Sequence, residues 1–247
     1  MVNLYGGRGY FLLTPSMEKI INEANITAGG LTKVFRGECC WQEIDKLEKE
    51  CDDFKSTVVI GLGGGKILDC AKVVTDKLHL PVIMVPTVAA TNAAASACAV
   101  IYTPEGVFES VYYETGSPNA ILVDSQIIAD APAKFLIAGM GDAFATWFEA
   151  LGCLRTESPN SLYGRQTNIA MLIARACYEN LLVYREAAAL AAEQHVFTPA
   201  LERIIETNIL YSGIGFESGG LAATHAIHNG FTVFPETKPT PIITVLK

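Results

Sequence analysis

A chain of 247 residues, 50% of them hydrophobic, carries enough apolar material for a substantial core, so disorder is excluded and one large domain or two ordinary ones are expected. The net charge of −8 and the absence of any Lys/Arg cluster exclude nucleic acid and anionic membrane as partners and favour a small-molecule ligand. No signal-peptide pattern opens the chain and polar residues interrupt every long apolar stretch, so a cytoplasmic protein is expected, with its seven cysteines, which form no C-x-x-C pair, as reduced thiols.

In chain order, Val2 to Tyr5 reads as a first strand and a helix follows from Met17. Adjacent Cys39 and Cys40 have no second Cys/His pair nearby and read as ordinary small side chains. Thr57 to Ile60 is a β-branched run with the length of an interior parallel strand, and it leads into Gly61, Gly63, Gly64 and Gly65. A helix then starts at Lys66, with Ile67, Cys70, Ala71, Val74 and Leu78 at helical spacing on its apolar face. Its positive N-terminal end points back into the glycines, where backbone N–H groups can approach an anion, so pyrophosphate is expected there. The spacing fits neither a Walker loop, because Ile60 and Ile67 fill deciding positions, nor the Gly-x-Gly-x-x-Gly fingerprint, because Lys66 stands where the third glycine belongs. On its own, the loop could also be a strand-to-helix turn with no ligand.

Pro81 to Val85 is the next strand, and the alternation of strand and helix predicts a parallel sheet. Ala97 to Tyr102 and Ser110 to Glu114, separated by the turn Pro104-Glu105-Gly106, are expected as a hairpin at the edge of the cofactor, followed by a strand over Ala120 to Val123. From Pro132 the texture becomes helical, over Ala133–Leu151, Thr167–Tyr184, Glu186–Gln194 and Pro199–Leu210. Arg155 to Gly164 reads as a loop, and Gly213 to Gly220 as a glycine-rich connection into a helix carrying His225 and His228. The tail has prolines at 235, 239 and 241 before a short strand-like run over 242–246, an ending that suggests an incomplete helical domain.

Several separated segments together resemble the glycerol dehydrogenases of the metal-dependent, iron-containing-type alcohol dehydrogenase superfamily. They are Gly37-Glu-Cys39, Gly63-Gly-Gly-Lys-Ile-Leu-Asp69, Pro86-Thr-Val-Ala-Ala-Thr91, Gly139-Met-Gly-Asp-Ala143, Thr146-Trp-Phe-Glu-Ala150, Ala192-Glu-Gln-His-Val196, and Gly215-Phe-Glu-Ser-Gly-Gly-Leu221 followed by His225-Ala-Ile-His-Asn-Gly230. The resemblance implies a Rossmann-like α/β nucleotide-binding domain over residues 1–131 and an all-α metal-binding domain, here incomplete, over 132–247, with the active site in the cleft between them. The implied reaction is NAD-dependent oxidation of glycerol or a similar vicinal diol to dihydroxyacetone, with zinc or another divalent metal such as iron polarising the hydroxyl. A small polyol is then the substrate, and homo-oligomers are expected.

Carried onto this chain, the resemblance assigns cofactor contacts to Gly64, Gly65, Lys66, Asp69, Thr87, Ala90, Ser96, Cys98 and Tyr102. Asp142 and His225 take the positions of metal ligands, a chemically reasonable pair for zinc. His228, one helical turn on from His225, is expected as a polar or proton-relay neighbour. Without the family blocks, Asp142 reads as a helix cap and either histidine as a hydrogen-bonded core residue, ahead of the metal reading. His79 and His195 are expected to be structural or solvent-facing.

Three positions depart from the family pattern. The third metal ligand belongs to a later His-Gly-Glu segment, but no histidine follows His228 and Ile242 falls at that position, so metal affinity and activity are expected to drop sharply. Asn92 stands where the family has an Asp that contacts substrate hydroxyls, so weaker polyol binding or altered specificity is expected, or else a loop amide bonded to its own backbone. Arg8 follows the Gly6-Gly7 turn, where an Asp near the adenosine ribose is usual, and could favour the 2′-phosphate of NADP. Two other readings stay open: a non-catalytic NAD-binding remnant or interaction protein, and a related enzyme such as a glycerol-1-phosphate dehydrogenase or 3-dehydroquinate synthase.

Overall fold

Gly9–Leu13 (β1) and Val58–Gly63 (β3) are apolar runs in which every residue is buried, the pattern of strands covered on both faces. In the computed structural model, which describes residues 1–24 and 29–234, they pair in parallel from Gly9↔Val58 to Leu13↔Leu62. With Pro15–Glu23 (α1), Leu31–Val34 (β2), Trp41–Asp53 (α2), Gly65–Leu78 (α3), Val82–Pro86 (β4), Cys98–Tyr102 (β5), Phe108–Tyr113 (β6) and Ala120–Ile121 (β7), they build the first of two units, Met1–Pro86 with Ala97–Val123. The parallel sheet has the order β2-β1-β3-β4-β7, which reverses direction between β1 and β3, and β5 and β6 form the antiparallel hairpin expected from the sequence.

Helix α3 buries Ile67, Leu68, Cys70, Ala71 and Val74. It lies close against the sheet because Gly61 has no side chain: a Cβ there would come within 3.1 Å of the Ala71 Cβ. A Cβ on Gly63 would lie 2.8 Å from both Thr14 Cγ2 and Ile67 Cδ1, so this glycine lets the end of β1 and the start of α3 converge. In α2, Ile44, Leu47 and Cys51 recur at helical spacing and are fully buried. Truncating Leu13, which is 0% exposed, to Ala would cost about 2–5 kcal/mol.

The expectation of a strand over Val2–Tyr5 is corrected. Those residues form a single 3-10 turn with none buried, closed by Gly6 and Gly7 at φ 91° and 82°. The first strand lies instead at Gly9–Leu13, where a continuous apolar run can be covered on both faces. β2 and α2 were not read from the sequence at all. β2 is a short, half-exposed edge strand and α2 is highly charged, so neither carries a strong apolar signature.

The second unit comprises Thr87–Ser96 and the chain from Asp124 onward. Its helices are Ser125–Asp130 (α4), Ala133–Arg155 (α5), Asn168–Glu193 (α6), Pro199–Glu206 (α7), Ser212–Gly219 (α8) and Ala223–Phe231 (α9), with a π-helical turn at Thr207–Tyr211. Side-chain oxygens of Asp124, Thr167 and Thr198 cap α4, α6 and α7. The segments expected as two helices over 167–184 and 186–194 are one continuous helix, α6, because no glycine or proline interrupts them.

The expected connection over Gly213–Gly220 is also corrected, since most of it is α8. Its glycines serve packing rather than looping. A Cβ on Gly213, Gly215 or Gly219 would come within 2.8, 2.9 or 2.6 Å of Ala95, Thr146 or Ala150 side-chain atoms. Gly139 likewise lets the 87–96 segment lie on α5, because a Cβ there would be 2.0 Å from the Ala89 carbonyl. Asn208 Nδ2 ties the same place together, donating to the Ala89 and Leu136 carbonyls at 3.0 Å each. No described helix is long and apolar enough to cross a membrane. The strand-like run over 242–246 and position 242 itself lie outside the described residues.

Candidate functional site

Two constellations of polar and charged groups stand out, one in each unit. In the first unit the sheet order is that of a doubly wound fold whose switch point falls between β1 and β3, where such folds leave a crevice beyond the carboxyl ends of the strands. A cavity of about 270 Å³ occupies that place. Thr14 reaches it from the end of β1, Phe35, Arg36 and Gly37 from the end of β2, and Gly64, Gly65, Lys66 and Ile67 from the turn into α3. Gly64 caps α3 without a side-chain hydrogen bond, so the positive helix end is left open toward the cavity.

Lys66 Nζ pairs with Glu38 Oε1 at 2.5 Å and lies 5.9 Å from the centre of the Tyr102 ring. Asp69 does not line the cavity. It is buried, its Oδ2 accepting the Val100 N–H at 3.1 Å and its Oδ1 lying 3.1 Å from Lys72 Nζ. Lys72 is fully buried, donates to the Cys98 carbonyl, and faces Glu114 at 3.9 Å. Burial alone would lower the Lys72 pKa, but the carboxylates of Asp69 and Glu114 outweigh it and hold the ammonium form. This inward lysine, which the sequence reading did not single out, fastens α3 to the hairpin strand bearing Cys98 and Tyr102. Burial and nearby carboxylates raise the Tyr102 hydroxyl well above its ordinary pKa.

Thr87, Ala90 and Ser96 belong to the second unit, where Ser96 is buried and the other two are half-buried. Asn92 is there too, and its Nδ2 donates to Ser212 Oγ at 3.1 Å instead of to its own loop. Ser212 in turn shares a 3.1 Å hydrogen bond with Thr146 on α5.

Helix α5 supplies the second constellation. Asp142 and Glu149 are two turns apart on one face and both are buried, a position acidic residues rarely take without partners. Their shared partner is His225 on α9. Its Nδ1–H donates to Glu149 Oε2 at 2.5 Å, and its Nε2 lies 3.3 Å from Asp142 Oδ1. Glu149 Oε1 also accepts the N–H groups of Ala222 at 2.9 Å and His225 at 3.2 Å, anchoring the start of α9. The chain enters α9 through Gly220 at φ 99° and ψ 161°, a conformation essentially confined to glycine.

Burial pulls the His225 pKa down, but hydrogen bonds and charge from Asp142 and Glu149 overcome it and push it up to about 10. For Glu149, burial raises the pKa, and His225 together with the two backbone N–H groups more than offsets this, lowering it. A histidine anchored through Nδ1 to a carboxylate is the arrangement metal-ligating histidines use, because it fixes ring and tautomer and presents Nε2. With the Asp142 oxygen beside it, the donor set suits a divalent ion.

Glu149 is the residue the sequence reading missed. It stands within the family-like segment Thr146 to Ala150, seven residues after Asp142, and that two-turn spacing was the available signal. His228 is half-buried one turn beyond His225, and burial, then the neighbouring His225 charge, lowers its pKa. His195 is exposed, its Nδ1 lying 2.9 Å from the Ala129 carbonyl, and His79 caps α3 in the left-handed conformation.

A crystal structure of a probable glycerol dehydrogenase from Sinorhizobium meliloti 1021 is similar to 98% of this chain with a TM-score of 0.93 and 38% identity, and the match covers 68% of that protein. The chain belongs to the iron-containing alcohol dehydrogenase family. The family pattern itself matches residues 7–125, covering the switch-point cavity and the hairpin. Curated family members include glycerol dehydrogenases from Thermotoga maritima, 46% identical over 239 residues, and from Escherichia coli, 50% identical over 202 residues. The matches cover 94% and 82% of this chain, which spans 65% and 55% of those two relatives.

Within the family frame, the suggestion that Arg8 reads a ribose phosphate is corrected. The Arg8 backbone pairs with Thr57 at 3.1 and 2.9 Å, ahead of both β1 and β3. That places it at the amino edge of the sheet, roughly 20 Å of strand away from the Gly64–Lys66 turn.

Proposed function

We propose that this chain carries the dinucleotide-binding unit and part of the metal centre of an oxidoreductase that converts glycerol, or a similar vicinal diol, to dihydroxyacetone. The observation that carries this reading is the placement of His225 between Glu149 and Asp142. In this reading Asp142 and His225 Nε2 hold the metal, and Glu149 keeps Nδ1 protonated and the ring in place. A divalent ion bound there would supply Lewis-acid polarisation of a hydroxyl, and a nicotinamide dinucleotide, NAD in the family expectation, would supply the hydride acceptor.

The turn at Gly64 and Gly65 offers backbone N–H groups and the α3 dipole to the pyrophosphate. Lys66, tethered by Glu38, and Tyr102 flank it. Asp69 acts through Lys72, holding the strand that presents Cys98 and Tyr102. Thr87, Ala90 and Ser96 remain assigned to the cofactor, and Asn92 to the polyol, with Ser212 accepting from its Nδ2 and so fixing the amide. His228, on the same helix as His225, is the proposed proton acceptor.

Titration of the purified chain with zinc, followed by glycerol and dinucleotide, tests the proposal. Stoichiometric zinc binding that disappears in Asp142→Ala and His225→Ala, with glycerol-dependent dinucleotide reduction, is the expected result. One observation favours a second reading, dinucleotide binding without metal chemistry: among the described residues no group of three or more His, Cys, Asp or Glu side chains is arranged to hold a metal ion. Dinucleotide binding with neither zinc uptake nor turnover would establish that reading instead.

A further inference from the structure

The charges around the switch-point cavity specify which dinucleotide fits. In a doubly wound sheet the adenosine ribose lies beyond the strand next to the phosphate-binding turn. An Asp or Glu there accepts from the 2′-hydroxyl of NAD, whereas an Arg accommodates the 2′-phosphate of NADP. The residues that reach the cavity from the ends of β1 and β2 include Thr14 and Arg36, and among the described residues that line it none is acidic. Glu38, two residues on from Arg36, is not among the lining residues; its Oε1 pairs with Lys66 at 2.5 Å and its Oε2 is buried.

Arg36 is different from Lys66. It is exposed, lines the cavity, and makes no ion pair or side-chain hydrogen bond among the described residues. At the other corner, Thr14 Oγ1 shares a 2.9 Å hydrogen bond with Ser16 Oγ, so this position offers hydroxyls and no charge. Among the described residues, the cavity therefore has a neutral hydroxyl corner and a guanidinium without an ion-pair partner where a 2′-hydroxyl would need a carboxylate.

We infer that Arg36, aided by the uncharged Thr14, makes this site selective for the 2′-phosphorylated dinucleotide, NADP, over NAD; the inference rests on the dinucleotide reading of the cavity. A guanidinium takes a phosphate through paired, charge-assisted hydrogen bonds. NAD, which lacks that phosphate, leaves Arg36 without its partner and its own ribose diol without an acceptor.

Calorimetric titration of the purified chain with NADP⁺ and with NAD⁺ is the test. NADP⁺ is expected to bind about tenfold or more tightly than NAD⁺. Arg36→Gln should remove that margin by weakening NADP⁺ alone, and Thr14→Asp should reverse it by adding an acceptor for the diol. A readout independent of any variant is competition on the wild-type chain: adenosine 2′,5′-bisphosphate should displace NADP⁺ about tenfold better than adenosine 5′-monophosphate. Equal or tighter binding of NAD⁺ overturns the inference while leaving the dinucleotide reading intact. A margin that survives Arg36→Gln in a cooperatively melting protein overturns the role of Arg36. If neither dinucleotide binds to the folded chain, the dinucleotide reading falls and the selectivity falls with it.

Discussion

Replacing Glu149 with Gln separates the two jobs of that carboxylate. The Glu149 Oε1 atom accepts the Ala222 and His225 backbone N–H groups at 2.9 and 3.2 Å, and an amide oxygen can keep both. The Oε2 atom accepts the His225 Nδ1–H at 2.5 Å, and there the variant would offer an NH₂ donor instead. The ring then lowers its energy by placing its proton on Nε2 and accepting at Nδ1, which blocks the nitrogen that faces Asp142. Loss of one buried charge-assisted hydrogen bond should cost about 1.5–3 kcal/mol in urea unfolding. Loss of the ligand-orienting partner should weaken zinc binding by roughly 10- to 100-fold. Competition against a chromophoric chelator measures the second effect, with circular dichroism establishing that the variant is folded. A folded Glu149→Gln protein that binds zinc within about twofold of the wild type would refute the orienting role.

Other substitutions report on the scaffold around the two constellations. Lys72→Met leaves the Asp69 and Glu114 carboxylates buried beside an apolar group, and about 3–5 kcal/mol should be lost in urea unfolding; a loss below about 1 kcal/mol would show that the lysine is dispensable. Gly139→Ala drives a methyl to 2.0 Å from the Ala89 carbonyl and 2.5 Å from Asn208 Nδ2, so the 87–96 segment must lift off α5, at a cost of about 1–3 kcal/mol or more by thermal melting; an unchanged melting temperature would contradict that close contact. Asp76 is the acid-sensitive latch of the hairpin, accepting from Tyr112 Oη at 2.7 Å and from Thr115 N and Oγ1 at 3.0 and 2.6 Å. Burial would raise its pKa, but those donors outweigh it and lower the value below the ordinary carboxylate range. Its stabilising contribution is therefore complete above about pH 4 and fades as pH falls through the lowered folded value. Urea midpoints measured down the acid range should fall less steeply in Asp76→Asn than in the wild type, and parallel slopes would rule the latch out.

The parts of the molecule legible in the sequence are those whose signal is local. The apolar run ending in Gly61 to Gly65 and the helical spacing after it located β3, α3 and the glycine turn between them, because a buried strand and an amphipathic helix each impose their own period on neighbouring residues. Asp142 and His225 were singled out through the family blocks rather than by period, and both stand on helices, Ala133–Arg155 and Ala223–Phe231, where helix was expected. Val2 to Tyr5 shows the limit of such signals, since a segment read as a strand forms a 3-10 turn with none of its residues buried.

Tertiary structure decided which side chains meet. Glu149 and His225 are 76 residues apart in sequence, and Thr14, Arg36 and Gly64 come from the ends of three different strands. The glycines of α8, local breakers by propensity, are helical because Ala95, Thr146 and Ala150 occupy the space their side chains would need. Residue type and spacing determined the glycine turn and the helices, because those follow from the chain's own period, whereas Asp142 and His225 were marked out only by the family resemblance. The orientation of His225, the inward turn of Lys72 and the exposure of Arg36 to the cavity were decided only by packing, because each depends on a partner that sequence proximity does not supply.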